Sequence, residues 1–130
     1  MFIQEDLTDK VIKCFYKVYN TLGYGFLEKV YHNALIHELQ KEGFECKSQY
    51  AIKVVYDNVV VGEYFADILV NDVLILELKA ADTLCEEHEF QLINYLKGTN
   101  IEIGLLLNFG KKPELKRKIF TNNRKQKKSV

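Results

Sequence analysis

Three charged side chains, Asp67, Glu77 and Lys79, sit inside two stretches that otherwise read as buried β-strand. Charge in such a place is costly unless a partner compensates it. Glu77 and Lys79 interrupt the apolar run from Val73 to Ala80 two positions apart. Strand side chains alternate sides, so this carboxylate and this ammonium share one face while Leu76, Leu78 and Ala80 take the other. The preceding run, Val59 to Val70, carries Asp67 near its end, and Asn71-Asp72 supplies the turn of a hairpin that lays Asp67 beside Glu77. Two carboxylates with an adjacent lysine suit a hard divalent cation, Mg²⁺ or Mn²⁺, holding a phosphate. A buried ion pair, with Lys79 neutralising one acid, accounts for the same residues, and these three alone do not decide between the two.

The elements that must carry these groups follow from periodicity. Leu7, Val11, Phe15, Val18 and Leu22 recur at helical spacing, which predicts an amphipathic helix over about residues 5–22, ended by Gly23-Tyr24-Gly25. Leu27, Val30, Tyr31, Ala34, Leu35 and Leu39 mark a second helix stopped by Gly43. A three-strand meander is predicted over 48–56, 59–70 and 73–80, with Asp57-Asn58 as its first turn. Thr83 or Asp82 is expected to cap a third helix over about 83–97. Ile101 to Phe109 is apolar enough for a buried strand, laid parallel to the one before the helix. A short edge strand is expected over 115–120, with 121–130 as a basic, disordered tail.

At 130 residues and 48% hydrophobic content the chain suits one domain, placed at residues 1–120. No apolar run approaches the roughly 20 residues of a membrane span. Met1 to Asp6 lacks the basic start and apolar core of a signal peptide, so a cytoplasmic protein without membrane contact is expected. Cys14, Cys46 and Cys85 are odd in number and unpaired in spacing, which argues against a disulfide framework, a zinc site or a four-cysteine iron–sulfur cluster and predicts reduced, largely buried thiols. The formal charge of zero conceals an asymmetry: residues 111–130 carry nine Lys or Arg and one acid, and residues 1–110 nine basic and seventeen acidic side chains. An acidic body bears a basic tail, which suits phosphate contacts or a solvated end.

The order helix, three-strand meander, helix, strand, with Asp67 on the second strand and Glu77-Leu78-Lys79 on the third, resembles the PD-(D/E)xK nuclease core. Gly25, Glu28 and Tyr31 fit the pattern G-x-x-E-x-x-Y, which names a family of small proteins within that superfamily. The resemblance continues through Gly62 to Asp67, His88 to Leu96 and Gly104 to Phe109, and so covers nearly all of the chain except its tail. It implies a restriction-endonuclease-like α/β fold, ααβββαβ, with a mixed central sheet flanked by helices. It further implies that Asp67, Glu77 and the Leu78 main-chain carbonyl hold Mg²⁺, with Glu28 as a further ligand, while Lys79 stabilises charge or orients the attacking water.

Gln91 and Tyr95 lie one turn apart on the third helix, with His88 a turn earlier, on one polar stripe. The pair resembles the Q-x-x-x-Y element of RecB-type nucleases, where an amide and a phenol orient the lysine or contact a phosphate. His88 is better explained as a surface helix position or a partner of Glu28 than as a direct metal ligand, and Tyr31 as a packing residue whose hydroxyl reaches water or a carboxylate. The chain departs from the RecB-type pattern in having no histidine ahead of Glu28 and no cysteine cluster. The function implied is metal-dependent hydrolysis of phosphodiester bonds in DNA or RNA. The rival is a non-catalytic module that binds nucleic acid or protein on the same fold. A homodimer would supply the two sites that cutting both strands needs, though no sequence feature demonstrates one.

Overall fold

The computed structural model describes residues 4–125. Helix α1 (Glu5–Leu22) buries Leu7, Val11, Phe15 and Val18 along one stripe. Helix α2 (Glu28–Lys41) is closed by Gly43, whose φ of +86° lets its N–H reach Gln40 O at 2.9 Å while Phe44 N–H reaches Leu39 O at 3.1 Å. Those two bonds satisfy carbonyls that a helix end leaves open.

Strands β1 (Cys46–Tyr56), β2 (Val59–Val70) and β3 (Leu74–Lys79) form the antiparallel meander. Asp57, Asn58, Asn71 and Asp72 all have positive φ, between 50° and 62°, the conformation that turns adjacent strands of natural twist back on each other. Helix α3 (Glu86–Lys97) crosses over to β4 (Ile103–Phe109), which runs parallel to β3, and β5 (Pro113–Ile119) returns antiparallel as an edge. The sheet order is β1-β2-β3-β4-β5. This mixed sheet with helices on both faces is the fold class expected from the sequence.

Helices α1 and α2 cover one face, on Leu74, Leu76 and Leu78 of β3 and Ile103, Leu105 and Leu107 of β4. The other face carries Ile75 and Leu106 under Leu92, Tyr95 and Leu96 of α3. Burial on both sides explains why β3 and β4 read as continuous apolar runs. At Gly104 a Cβ would lie 2.6 Å from Leu92 Cδ1, so glycine there lets α3 settle onto β4. Strand β2 pairs with β3 only from Ile68 to Val70, whereas it pairs with β1 along nearly its whole length. The outer part of that hairpin therefore projects past β3 as a two-stranded ribbon.

Two expectations change. Helix α3 starts at Glu86 rather than 83, because Cys85 takes the capping position: its N–H donates to His88 Nδ1 at 3.3 Å. His88 thus turns back to the helix start and leaves the polar stripe. Thr121–Lys125, expected as part of a disordered tail, instead folds back with a 3-10 turn at Asn122–Arg124. Its Lys125 ammonium donates to the Thr99 and Ile101 carbonyls at 2.8 Å each, acceptors at the α3–β4 turn that would otherwise need water. The rest of the expected tail, 126–130, lies outside the described residues.

Candidate active site

The site is built where β2 and β3 part. Beyond the Ile68–Leu76 pair the ladder stops, and side chains take over its hydrogen bonds. Glu77 Oε1 accepts the Asp67 backbone N–H at 2.8 Å, and Asp67 Oδ2 accepts the Leu78 N–H at 2.7 Å. Each acid closes the strand opposite its own. One oxygen of each carboxylate is spoken for, and the second has no protein donor among the described residues.

Electrostatics make this fork expensive without a cation. Glu77 is only 4% exposed. Burial first and the charge of Asp67 second push its carboxyl up to about 8, against an ordinary 4.5. Burial also raises Asp67, partly offset by the Leu78 N–H and by His32 and Lys79. Lys79 does not neutralise either acid by direct contact: its Nζ donates to Gln91 Oε1 of α3 at 3.4 Å and forms no ion pair among the described residues.

Helix α2 brings Glu28 to the fork from the opposite face. Glu28 is accessible, yet partial desolvation and then the Asp67 charge raise its carboxyl, while Lys79 and His32 pull it down. Tyr31, fully buried, sets where this helix begins. Its hydroxyl donates to Gly23 O at 2.7 Å and accepts the Phe26 N–H at 3.2 Å, and its ring stacks on Phe109 at 4.3 Å. The hydroxyl therefore serves the α1–α2 loop and not water or a carboxylate. Gly25 in that loop has φ +108°, a conformation other residues resist. The spacing of Gly25, Glu28 and Tyr31 is thus a loop, an acid whose charge is felt at Asp67, and the pin that fixes both.

Sequence reasoning missed His32, whose Nε2 lies 3.2 Å from the Asp67 carbonyl oxygen and 2.9 Å from Ser48 Oγ. It ties α2 to β1 and β2 beside the acids. Its position one helical turn after Glu28 was the available signal. Asn108 was missed too. Fully buried, it accepts the Ala81 N–H and donates to Ala81 O, both at 2.9 Å, pinning the segment that leaves β3 just past Lys79. A lone amide in an otherwise apolar strand was its signal. On α3, Gln91 holds Lys79 as described. Tyr95 is 5% exposed, and its phenol is pushed up to about 12 by burial and by the charges of Glu77 and Asp67.

Among the described residues no three His, Cys, Asp or Glu side chains converge tightly enough to cage a cation. The donors are two β-strand carboxylates, a carboxylate from α2 at longer range, and main-chain carbonyls. Such an all-oxygen, partial set fits a hard divalent cation, which takes oxygen ligands and can keep waters where the protein supplies only one or two carboxylates. It lacks the cysteine and histidine donors around which zinc sites are usually built.

A mixed sheet between helices, with acids at a strand fork and a lysine two residues on, defines a nuclease-like α/β domain. The model of the PD-(D/E)XK nuclease superfamily matches residues 5–119, and the chain belongs to that superfamily. Neither the curated proteins nor the solved structures searched give a match. Membership implies nucleic acid as the substrate class, and nucleases of this superfamily generally use divalent metals. Among the described residues no helix is long and apolar enough to cross a membrane.

Proposed function

We propose that this chain is a divalent-metal-dependent phosphodiesterase that hydrolyses DNA or RNA. The observation that carries this reading is the turn of Lys79 toward Gln91, which leaves the Asp67–Glu77 pair desolvated and without a neutralising contact. An ion pair built for stability would place the ammonium on a carboxylate. Asp67, Glu77 and the Leu78 carbonyl would hold Mg²⁺ or Mn²⁺, with Glu28 adding charge from α2. When bound, such an ion lowers the pKa of its water and offsets charge on the phosphate.

The chain's own groups orient the rest. The Asp67 and Leu78 N–H groups fix one oxygen of each acid and leave the other free for a cation. Gln91 holds the Lys79 ammonium beside the space a phosphate would enter, where a fixed positive charge stabilises developing negative charge. Tyr95 stays protonated at neutral pH and is a hydrogen-bond donor there. The same reading takes residues 1–120 as one domain and places the chain in the G-x-x-E-x-x-Y group, supported by the arrangement of Gly25, Glu28 and Tyr31.

The test is cleavage of labelled single-stranded, duplex and branched DNA and RNA with Mg²⁺ or Mn²⁺. Cleavage should vanish on chelation and in Asp67→Ala. Full activity of that variant in a clean preparation would overturn the assignment, and binding without turnover under either metal would favour the non-catalytic module.

A further inference from the structure

A groove of about 1500 Å³ runs between the projecting β1–β2 ribbon and α3, with Phe120 and Arg124 also in its lining. It exceeds the ~300–1,000 Å³ of ordinary small-molecule sites, and its lining runs along α3 from Glu87 to Lys97 and along the ribbon from Ile52 to Asn58, an extent that suits a polymer. Gln91 and Tyr95 belong to both the groove and the acid fork, so the groove leads to the candidate active site.

Its walls have a specific chemistry. Tyr56 is 74% exposed, Phe90 59% and Tyr64 51%, three large rings left open to water on the two walls. Tyr64 lies 6.0 Å from the Tyr95 ring, continuing the aromatic surface to the fork. The cations are few: Lys53 on the ribbon, with Lys97 and Arg124 elsewhere in the lining, set against Asp57 and Glu87. Lys97 and Arg124 are themselves arranged over the Phe120 ring, at 5.5 and 4.6 Å from its centre. Lys125, also in the lining, is committed to backbone carbonyls.

We propose that this groove binds single-stranded nucleic acid by stacking unpaired bases on Tyr56, Phe90 and Tyr64, with Lys53, Lys97 and Arg124 meeting the backbone, and so feeds a single strand to the acid fork. A duplex hides its base faces and offers phosphates, for which a wall of valines and tyrosines with three cations is a poor match. A single strand exposes those faces, and every base has one, so stacking on open rings gives affinity without sequence readout. The inference rests on the nuclease reading only in taking the fork as the place where the bound strand reacts.

The experiment measures fluorescence anisotropy of labelled 12-nucleotide DNA and RNA, single-stranded and as duplexes, with the intact protein and a chelator so that no cleavage occurs. Single strands should bind at least tenfold more tightly than duplex. Tyr56→Ala and Phe90→Ala, both exposed and checked for unchanged melting, should each weaken single-strand binding about tenfold. Three phosphate contacts set a shallow salt dependence, with a log–log slope of about −2. Equal or tighter duplex binding, unchanged affinity in both aromatic variants, or no binding to any of the oligonucleotides would overturn the proposal. Cleavage is scored separately. Single-strand binding without turnover would keep this inference and sink the nuclease reading, whereas duplex cleavage without single-strand binding would do the reverse.

Discussion

Asp67 and Glu77 each hold the strand that carries the other: Glu77 Oε1 takes the Asp67 N–H at 2.8 Å and Asp67 Oδ2 takes the Leu78 N–H at 2.7 Å. Because the backbone ladder between β2 and β3 ends at Ile68 and Leu76, these side chains stand in for the missing rungs. The fork stays narrow although two carboxyl groups face each other across it, at the cost of holding Glu77 protonated up to about pH 8. Structure and function pull on the same atoms, and variants that separate charge from hydrogen bonding are the informative ones.

Asp67→Asn keeps an oxygen for the Leu78 N–H and removes the charge. Its stability without metal should equal or exceed that of the parent chain, while divalent-dependent cleavage falls by at least about 100-fold. Asp67→Ala should also lose activity, but by leaving a buried N–H unpaired it should cost a further ~1–3 kcal/mol in urea unfolding. Equal stability of the two variants would show that the hydrogen bond to Leu78 carries no weight.

The acids give metal-free stability a direction with pH. Glu77 is raised in the folded state from 4.5 to about 8, so the folded chain binds the proton more tightly than the unfolded one. The stability its neutral form confers is complete below 4.5 and is lost as pH rises through about 8. Asp67 and Glu28, both also raised, tilt the curve the same way, and the midpoint observed belongs to the cluster. With chelator present, Tm should fall from pH 5 to pH 9, and Glu77→Gln should flatten that fall. Mg²⁺ should raise Tm more at pH 8.5 than at pH 6, because it competes with the proton. A Tm that rises with pH across this window would contradict the arrangement of the fork.

The strands and the fork were legible because charge stands out in an apolar run, and because period two fixes which side chains share a face. Asp67, Glu77 and Lys79 needed only the Asn71-Asp72 turn to be put in register. What sequence did not reveal depends on rotamers and on distant partners. Lys79 choosing Gln91 over Glu77, His88 turning back to Cys85, and Asn108 gripping Ala81 are contacts between groups whose neutral alternatives look identical in one dimension. The fold of Thr121–Lys125 escaped for a related reason: its polar residues compete for carbonyls at a turn that only the assembled sheet brings close.

Tyr31→Phe isolates the loop that leads to Glu28. The ring and its stack on Phe109 remain, but the Gly23 carbonyl loses its donor and the Phe26 N–H its acceptor. Stability should fall by about 1–3 kcal/mol. The rise in Tm given by Mg²⁺ should shrink as well, since the start of α2 is no longer fixed. Glu28→Gln should reproduce the second effect without the first. Loss of stability with an intact Mg²⁺ response would make Tyr31 a packing residue alone.

Lys79 separates a structural cluster from a working site. Were its ammonium the counter-charge of a buried acid, Lys79→Met would strand that acid and cost about 3–5 kcal/mol. The ammonium instead meets a neutral amide at 3.4 Å on a half-buried side chain, so its removal should change unfolding free energy by no more than about 1 kcal/mol. Cleavage should nevertheless fall by at least about 100-fold, with the Mg²⁺ response of Tm retained, because the acids that hold the ion are untouched. Gln91→Leu, which frees the ammonium without deleting it, should give a smaller loss of turnover. A Lys79→Met protein that unfolds readily and still cleaves would assign the ammonium to stability and leave the chemistry to the acids alone.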